Sequence, residues 1–395
     1  MKLRQKLSMG VVAVLGAALV ACGGGGGDAG ESGFGTGTMR VALTDAPSCG
    51  YDAVNVTVEK VRVHKSSSAA DSDGGWSEVV LSPAKRVDLL SLQNGVLSEL
   101  GQTALPAGKY QQLRLVLAEN SNAQPLANSV VPTGGTETAL DTPSAQQSGL
   151  KMNVDLDVNA DQLLDLVLDF DACKSVVRAG NSGHYKLKPV VRVIPRFVSG
   201  VSGVVAAGWP AATTQVSLQQ DGVVVRATAP DNTGKFMLQP VAPGTYDLVI
   251  ASPGQTTVVV TGVVVTADTV TALNAAAAAI AATASANGTA KGKVTTGATT
   301  IDASTRAVQT LSGGHTIELT AAPADSTTGD YSHTLPVAAP LVAPFVAAPG
   351  TLAFVADTAV AGKYSVQASA LGATKTAGPF TLTSGGTSTN DFVFP

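Results

Sequence analysis

The chain has 395 residues, 25 Lys+Arg against 29 Asp+Glu, a net charge of −4 and only 4% aromatic residues. An acidic balance argues against nucleic acid as a partner, and the length allows two or three domains, each with its own core. Abundant Val, Thr, Ala and Gly suit β-sandwiches whose facing sheets are filled by small side chains.

The first 22 residues have the three-part layout of an export signal. Lys2, Arg4 and Lys6 precede an apolar run from Leu7 to Val20, and Leu19-Val20-Ala21 leads into Cys22. A cysteine at the cleavage point makes residues 1–21 a lipoprotein signal peptide and Cys22 the lipidation site. An apolar run of about 15 residues is short of the roughly 20 that span a bilayer. Acyl chains on Cys22 would hold the mature protein to a membrane at about 0.8 kcal/mol per buried methylene. Gly23, rather than Asp, after the cysteine fits sorting to the outer membrane. With Cys22 assigned to lipid, Cys49 and Cys173 remain as a pair in an oxidising compartment. A disulfide between them would close a loop of about 125 residues and add roughly 3–5 kcal/mol; the alternative is two buried thiols.

Residues 22–37 read as the lipidated cysteine and a Gly-rich tether with an r.m.s. reach of about 20 Å. Residues 38–198 form a β-rich first domain that holds most of the charge. Met39, Val41 and Leu43 alternate with other residues, as a half-buried strand does. Val54, Val56 and Val58 alternate, and Val61 and Val63 continue in the opposite phase. That switch predicts a bulge at Glu59–Lys60, because a one-residue slip turns the later side chains to the other face. Residues 88–100 admit a short helix or turn. Leu113 to Leu117 make a strand. Residues 119–148 read as a long loop with at most one strand, near Asn128–Val131. Leu150, Met152, Val154, Leu156 and Val158 give the cleanest alternation in the chain. Leu166 to Phe170 follow, and the run from Tyr185 to Val193 contains Pro189, which marks an edge strand.

Residues 199–274 read as a compact β-sandwich with explicit turns at Gln220–Gly222, Asn232–Gly234 and Pro243–Gly244. Residues 275–289 are an Ala-rich linker, too short and uncapped to be a stable isolated helix. Residues 290–395 form a third unit that echoes the second: TTGDYSHTLPVAAP answers DNTGKFMLQPVAPG, and an extra segment interrupts the echo at about 341–360.

TDAPSCGYDAVNVTVEKVRVH at 44–64, LPAGKYQQLRLVL at 105–117, LDFDACKSVV at 168–177 and YKLKPVVRVI at 185–194 together resemble the bacterial lipoprotein family called domain of unknown function 4382. The resemblance covers 38–196 and implies an exported β-rich domain with no established activity. The second unit, through DNTGKFMLQPVAPGTYDLVI, resembles carboxypeptidase regulatory-like or Cna protein B-type modules. That resemblance implies a transthyretin- or immunoglobulin-like sandwich in the carbohydrate-binding-like fold class, and a spacer or stalk role. Some Cna protein B-type modules form a Lys–Asn isopeptide bond promoted by a buried acid. The residues in the third unit that would match are Lys291 or Lys293, Asn390 and Glu318.

Candidate chemistry is sparse. Asp155 and Asp157 share one strand face, as do Asp169 and Asp171. Carboxylates on adjacent strands could hold calcium, although the same spacing is what a solvated strand face gives. Asp45 reads as a turn residue. His64, His184, His315 and His333 are scattered without metal-ligand spacing, and no nucleophile elbow occurs. Trp76 and Trp209 are the only tryptophans; an exposed Trp76 would offer a stacking platform for a glycan, whereas a buried one is core. The expectation is therefore a non-enzymatic, all-β surface lipoprotein with tandem sandwiches, no required cofactor, and a membrane partner through Cys22. A glycan-binding accessory protein and a calcium-stabilised adhesin are the alternatives.

Overall fold

The computed structural model describes residues 35–45, 50–142, 148–180, 182–196, 199–207, 209–210, 213–298, 300–347 and 350–395. The expected export signal, Cys22, Cys49 and the expected tether up to residue 34 lie outside them.

The first domain runs β1 (Thr36–Asp45), β2 (Tyr51–His64), β3 (Ser77–Asp88), β4 (Ser98–Pro106), β5 (Gly108–Leu117), β6 (Ser129–Pro132), β7 (Thr138–Asp141), β8 (Leu150–Val158), β9 (Leu163–Phe170), the single-turn helix α1 (Ala172–Ser175), β10 (Val176–Arg178), β11 (Tyr185–Leu187) and β12 (Val191–Pro195). Among the described residues, one sheet has the order β12-β9-β1-β4. The other runs β10-β11-β7-β6-β2-β5-β8, with β3 also on β2. The predicted bulge is present: β2 loses register against both β3 and β5 between Val58 and Lys60. It lets Val54, Val56 and Val58, and then Val61 and Val63, all reach the same core with no exposure. β8 alternates as expected, with Leu150, Met152 and Val158 inward.

Four expectations need correction. Thr36 and Gly37 are strand, not tether, and a Cβ on Gly37 would meet the Asn159 carbonyl at 2.4 Å. Residues 119–148 hold two strands, β6 and β7, not one. The run through Pro189 is two strands in different sheets. β12 is an edge strand of one, while β11 lies inside the other between β10 and β7. Within the expected linker, Ile280 is buried and bridges Val205, so this segment lies against the second module.

The second module comprises β13 (Gly200–Val204), β14 (Gln215–Gln220), β15 (Val223–Thr228), β16 (Lys235–Leu238), β17 (Gly244–Ala251), β18 (Val258–Val265) and β19 (Val270–Ala272). The third comprises β20 (Asn287–Thr295), β21 (Ala303–Thr310), β22 (Thr316–Pro323), β23 (Asp330–Pro336), β24 (Leu341–Pro344), β25 (Val355–Ala356), β26 (Lys363–Ala370), β27 (Ala373–Thr381), β28 (Thr387–Thr389) and β29 (Phe392–Val393). The strand orders correspond: β16-β13-β19 with β23-β20-β28, and β15-β14-β17-β18 with β22-β21-β26-β27. In both modules the first strand pairs parallel with the late one, β13 with β19 and β20 with β28. The Asp221-Gly222 turn between β14 and β15 has positive φ at both residues, the conformation that tight hairpins require.

A three-residue spacing recurs in all three domains: Gly108-Lys-Tyr110, Gly244-Thr-Tyr246 and Gly362-Lys-Tyr364. Tyr110 and Tyr246 each donate their hydroxyl to the carbonyl four residues earlier, at 2.9 Å, and Tyr364 donates to the Pro336 carbonyl at 2.6 Å. Tyr110 and Tyr246 thereby tie the start of their strands to the chain just before them, as a tyrosine corner does, whereas Tyr364 ties β26 to the end of β23.

The extra segment of the third module does not stay there. β24 pairs in parallel with β18 of the second module, from Val258 opposite Leu341 to Thr261 opposite Pro344. β25 extends the same sheet. Phe345, Leu352 and Phe354 pack on the second module's core. In exchange, Val249 and Val259 from the outer face of the second module's sheet join the core of the third. Ala343, fully buried in β24, tests this dependence. Ala343→Asp is expected to lower hydrogen-exchange protection of the amides of Val258–Thr261 that face β24 in the preceding module while sparing β2 of the first domain. Unchanged protection in β18 would contradict the dependence.

Candidate functional site

The three domains meet where β1 and β9 end. These strands run parallel, with Thr44 beside Asp169 and Asp45 beside Phe170. The chain then turns on Asp171, whose carboxylate accepts from the Lys174 backbone N–H at 3.0 Å and caps α1. Asp45 accepts from the Ala172 N–H at 2.9 Å, and Ser175 accepts from the Val190 N–H at 2.8 Å. Lys174 is thus held in one place and aimed at the second and third modules.

Glu318 on β22 receives it. Ile317 and Leu319 face the third module's core, so Glu318 points outward, yet it is only 6% exposed because the other domains cover it. Its carboxylate accepts from Lys174 at 3.3 Å and from Arg306 at 3.2 Å. Arg306 also donates to the Gly222 carbonyl of the second module at 2.7 Å. Gln219, fully buried on β14, closes the arrangement. Its amide donates to the Glu318 carbonyl and accepts from the Glu318 N–H, both at 2.7 Å. Burial lowers the Lys174 pKa, but Asp171 and Glu318 outweigh it and hold the ammonium above its ordinary value.

A second buried ion pair lies nearby. Arg226 of β15 pairs with Asp169 and donates to Thr44 at 2.8 Å. Burial pushes the Asp169 carboxyl up, and the adjacent guanidinium pulls against it. Asn94, in the turn before β4, accepts from the Met237 N–H at 3.1 Å and receives the Thr228 hydroxyl. On the other side Lys188 reaches Asp302 at 2.9 Å, and the Gly180 N–H donates to Asp325 at 2.8 Å.

Between these contacts lies a cleft of about 250 Å³ with walls from all three domains. Gly50, Asp171, Cys173 and Lys174 line one side. Thr213, Ser252 and Pro253 line another, and Leu319, Thr320, Thr334 and Leu335 the third. Its hydroxyls offer neutral hydrogen bonds beside apolar walls, and its one ammonium is already matched by two carboxylates.

The residues singled out from sequence are mostly dispersed. Cys22 and Cys49 fall outside the described residues. Cys173 lies in α1 on the cleft wall, and Gly50, the neighbour of Cys49, lines the same cleft. The aspartate quartet is not brought together. Asp155 and Asp157 are exposed on β8 in one sheet, with Asp155 paired to Lys109 at 2.6 Å. Asp169 and Asp171 sit at the end of β9 in the other sheet, each engaged with a cation. Among the described residues no group of three or more His, Cys, Asp or Glu could hold a metal ion.

Trp76 is half-buried, and its ring is taken. The Arg62 and Arg114 guanidiniums lie 4.5 and 4.7 Å from its centroid, His64 packs at 5.0 Å, and its N–H donates to the Ala70 carbonyl. It is a clamp for the loop between β2 and β3, not an open platform. Trp209 packs on the second module's core and donates to the Ile280 carbonyl at 3.2 Å. The isopeptide trio converges only in part: the Asn390 N–H donates to the Lys291 carbonyl at 2.8 Å, but Lys291 and Lys293 are exposed on β20, the Asn390 amide donates to Ser388, and Glu318 belongs to the junction on the other sheet.

Residues 36–189 match the family described as Domain of unknown function (DUF4382), which covers the first domain and leaves the two modules behind it unmatched. No curated protein matches the chain. Among solved structures the chain is similar to the Bacillus anthracis TIE protein, at 10% identity and a TM-score of 0.18, over 91% of this chain and 51% of that one. It is also similar to a streptococcal ancillary pilin (12% identity, TM-score 0.13, 90% and 99% covered) and to BcpA, the major pilin subunit of Bacillus cereus (9%, 0.14, 91% and 99%). The chain spans about half the length of the TIE protein.

Two outcomes follow from these interactions. Removing the Glu318 carboxylate leaves Lys174 and Arg306 without their shared partner, so Glu318→Ala is expected to cost about 3 kcal/mol and to open the junction to limited proteolysis. Wild-type resistance in this variant would contradict the assignment. Burial pushes the His333 imidazole down to about 4 from 6.5. The unfolded chain takes up that proton near pH 6.5 and the folded one near pH 4. The third module therefore loses roughly 3 kcal/mol as the pH falls through that window. His333→Gln is expected to flatten this loss in denaturant titrations between pH 7 and 4; an unchanged slope would exclude His333 as its source.

Proposed function

We propose that this chain is a non-enzymatic bacterial lipoprotein, held to the outer membrane by acyl chains on Cys22, with a binding or structural role at the cell envelope. The observation that carries the structural part is the shared interior of the three domains. A buried residue, Glu318, with partners from every domain, and a strand lent by one module to another, make a stiff body rather than beads on a string. Independent enzymatic domains gain nothing from such fusion, whereas a spacer or display element does. The second unit reads as a carboxypeptidase regulatory-like or Cna protein B-type module, a reading supported by its strand order and its recurrence in the third unit. No helix among the described residues is long and apolar enough to cross a membrane, and the reading assigns membrane attachment to Cys22.

A Cys49–Cys173 disulfide belongs to this proposal. It is supported by the position of Gly50 and Cys173 on one cleft wall and by the Asp45 to Ala172 hydrogen bond. Fractionation of cells tests the anchor: wild-type protein should follow the outer membrane, and Cys22→Ala should leave it. Retention of the variant in membranes would overturn the lipid anchor. Intact mass before and after reduction tests the disulfide: oxidised protein should gain two hydrogens, and Cys49→Ser should gain none.

A further inference from the structure

The loop between β2 and β3 covers the outward face of the first domain's larger sheet. There Glu78, Arg62, Arg114 and Lys151 lie directly opposite one another on β3, β2, β5 and β8. Their strand neighbours Val61, Val63, Leu113 and Leu115 turn into the core, so the row points away from it. Like charges directly opposite one another in a sheet are destabilising, and this row sets three cations side by side with one acid at its end. Glu78 cannot neutralise the row alone, because its carboxylate meets Arg62 at 2.6 Å and is shared with Lys60 at 3.3 Å. The loop supplies a second carboxylate. Asp71 pairs with Arg62 and lies 3.7 Å from Arg114. Under this cover the two arginines are only 9% and 4% exposed.

The match is incomplete and the cover is lightly held. Asp71 and Glu78 leave one of the three cations over, and Lys151, exposed on β8, has no ion pair among the described residues. Between Lys65 and Gly75 no apolar side chain is larger than alanine, and Ala69 alone is buried. Polar contacts hold the loop: Arg114 donates to the Ala69 carbonyl at 2.6 Å and Trp76 to the Ala70 carbonyl at 3.1 Å. Segments that bury so little apolar surface open at low cost.

We propose that this row is a binding site for a phosphate monoester, and that Asp71 occupies it as an internal stand-in. Guanidinium groups take tetrahedral oxyanions through paired N–H donors. A phosphate monoester carries nearly two negative charges at neutral pH. Beside Glu78 it balances all three cations of the row, which a single carboxylate does not. Binding displaces Asp71, lifts the loop and brings Lys151 in as a third partner. A phosphodiester, with one charge, gains nothing over Asp71. Soluble esters and lipid headgroups both present the monoester group.

The test uses the Cys22→Ala chain, which keeps all three domains and is independent of the proposed anchor. Calorimetry with methyl phosphate near neutral pH is expected to show binding, and hydrogen exchange of the amides at 66–75 to speed up on its addition. Dimethyl phosphate should bind at least about tenfold more weakly. Asp71→Asn should tighten methyl phosphate binding about tenfold, because the internal competitor is gone. Lys151→Gln should weaken it about tenfold, while Lys109→Gln, at the far end of β5 and paired with Asp155, should leave it unchanged. Vesicles distinguish the sources. Capture of the chain by phosphatidic acid but not by phosphatidylglycerol assigns the group to a lipid headgroup; capture by neither, with methyl phosphate bound, assigns it to a soluble ester. Absence of methyl phosphate binding in the Asp71→Asn chain, equal binding of dimethyl phosphate, equal capture by both vesicles, or binding that leaves loop exchange unchanged would each overturn the proposal.

Discussion

A single carboxylate, that of Glu318, is the group on which the arrangement of the three domains depends. It sits on the outward face of a strand, where solvent would ordinarily hydrate it, and is instead roofed by two other domains. Such burial is tolerable only if the charge is met. Here it is met by Lys174 from the first domain and Arg306 from its own. The Gln219 side chain clasps the backbone of the same residue from the second. Each partner is itself positioned: Lys174 by the Asp171 cap, Arg306 by Gln367 and the Gly222 carbonyl. Burying charge in this way adds little stability over a well-packed apolar contact, but it penalises any arrangement in which one partner is missing. The junction therefore specifies one geometry more than it strengthens it.

Hydrophobic exchange supplies the cohesion that the ion pairs do not. Val249 and Val259 contribute to the third module's core, and the hairpin that carries Phe345, Leu352 and Phe354 contributes to the second's. The first domain adds a buried ion pair, Arg226 with Asp169, and the Asn94 hydrogen bonds.

Much of this fold was legible where burial is one-sided. The phase change in β2 predicted its bulge, the alternation in β8 predicted its faces, and the echo between the last two units predicted their common strand order. β3 was not legible, because Ser82 to Arg86 is exposed and the strand does not alternate cleanly. The junction was illegible for a different reason. Gln219, Arg226 and Glu318 occupy outward positions on their own strands, and a sequence read one strand at a time assigns such positions to water. Their burial comes from the neighbouring domain, which local periodicity does not record. Trp76 shows the converse. It looked available, and two arginines from adjacent strands had already claimed its ring.

The lent hairpin imposes an order in time. The chain is made from its N-terminus, so β18, with the sequence VVVTGVVV, emerges some 75 residues ahead of the strand that will cover it. During that interval the β18 edge that β24 will pair with is bare. A nascent or truncated chain ending in the linker would present that edge to every other such chain. The second module becomes safe only when its successor arrives.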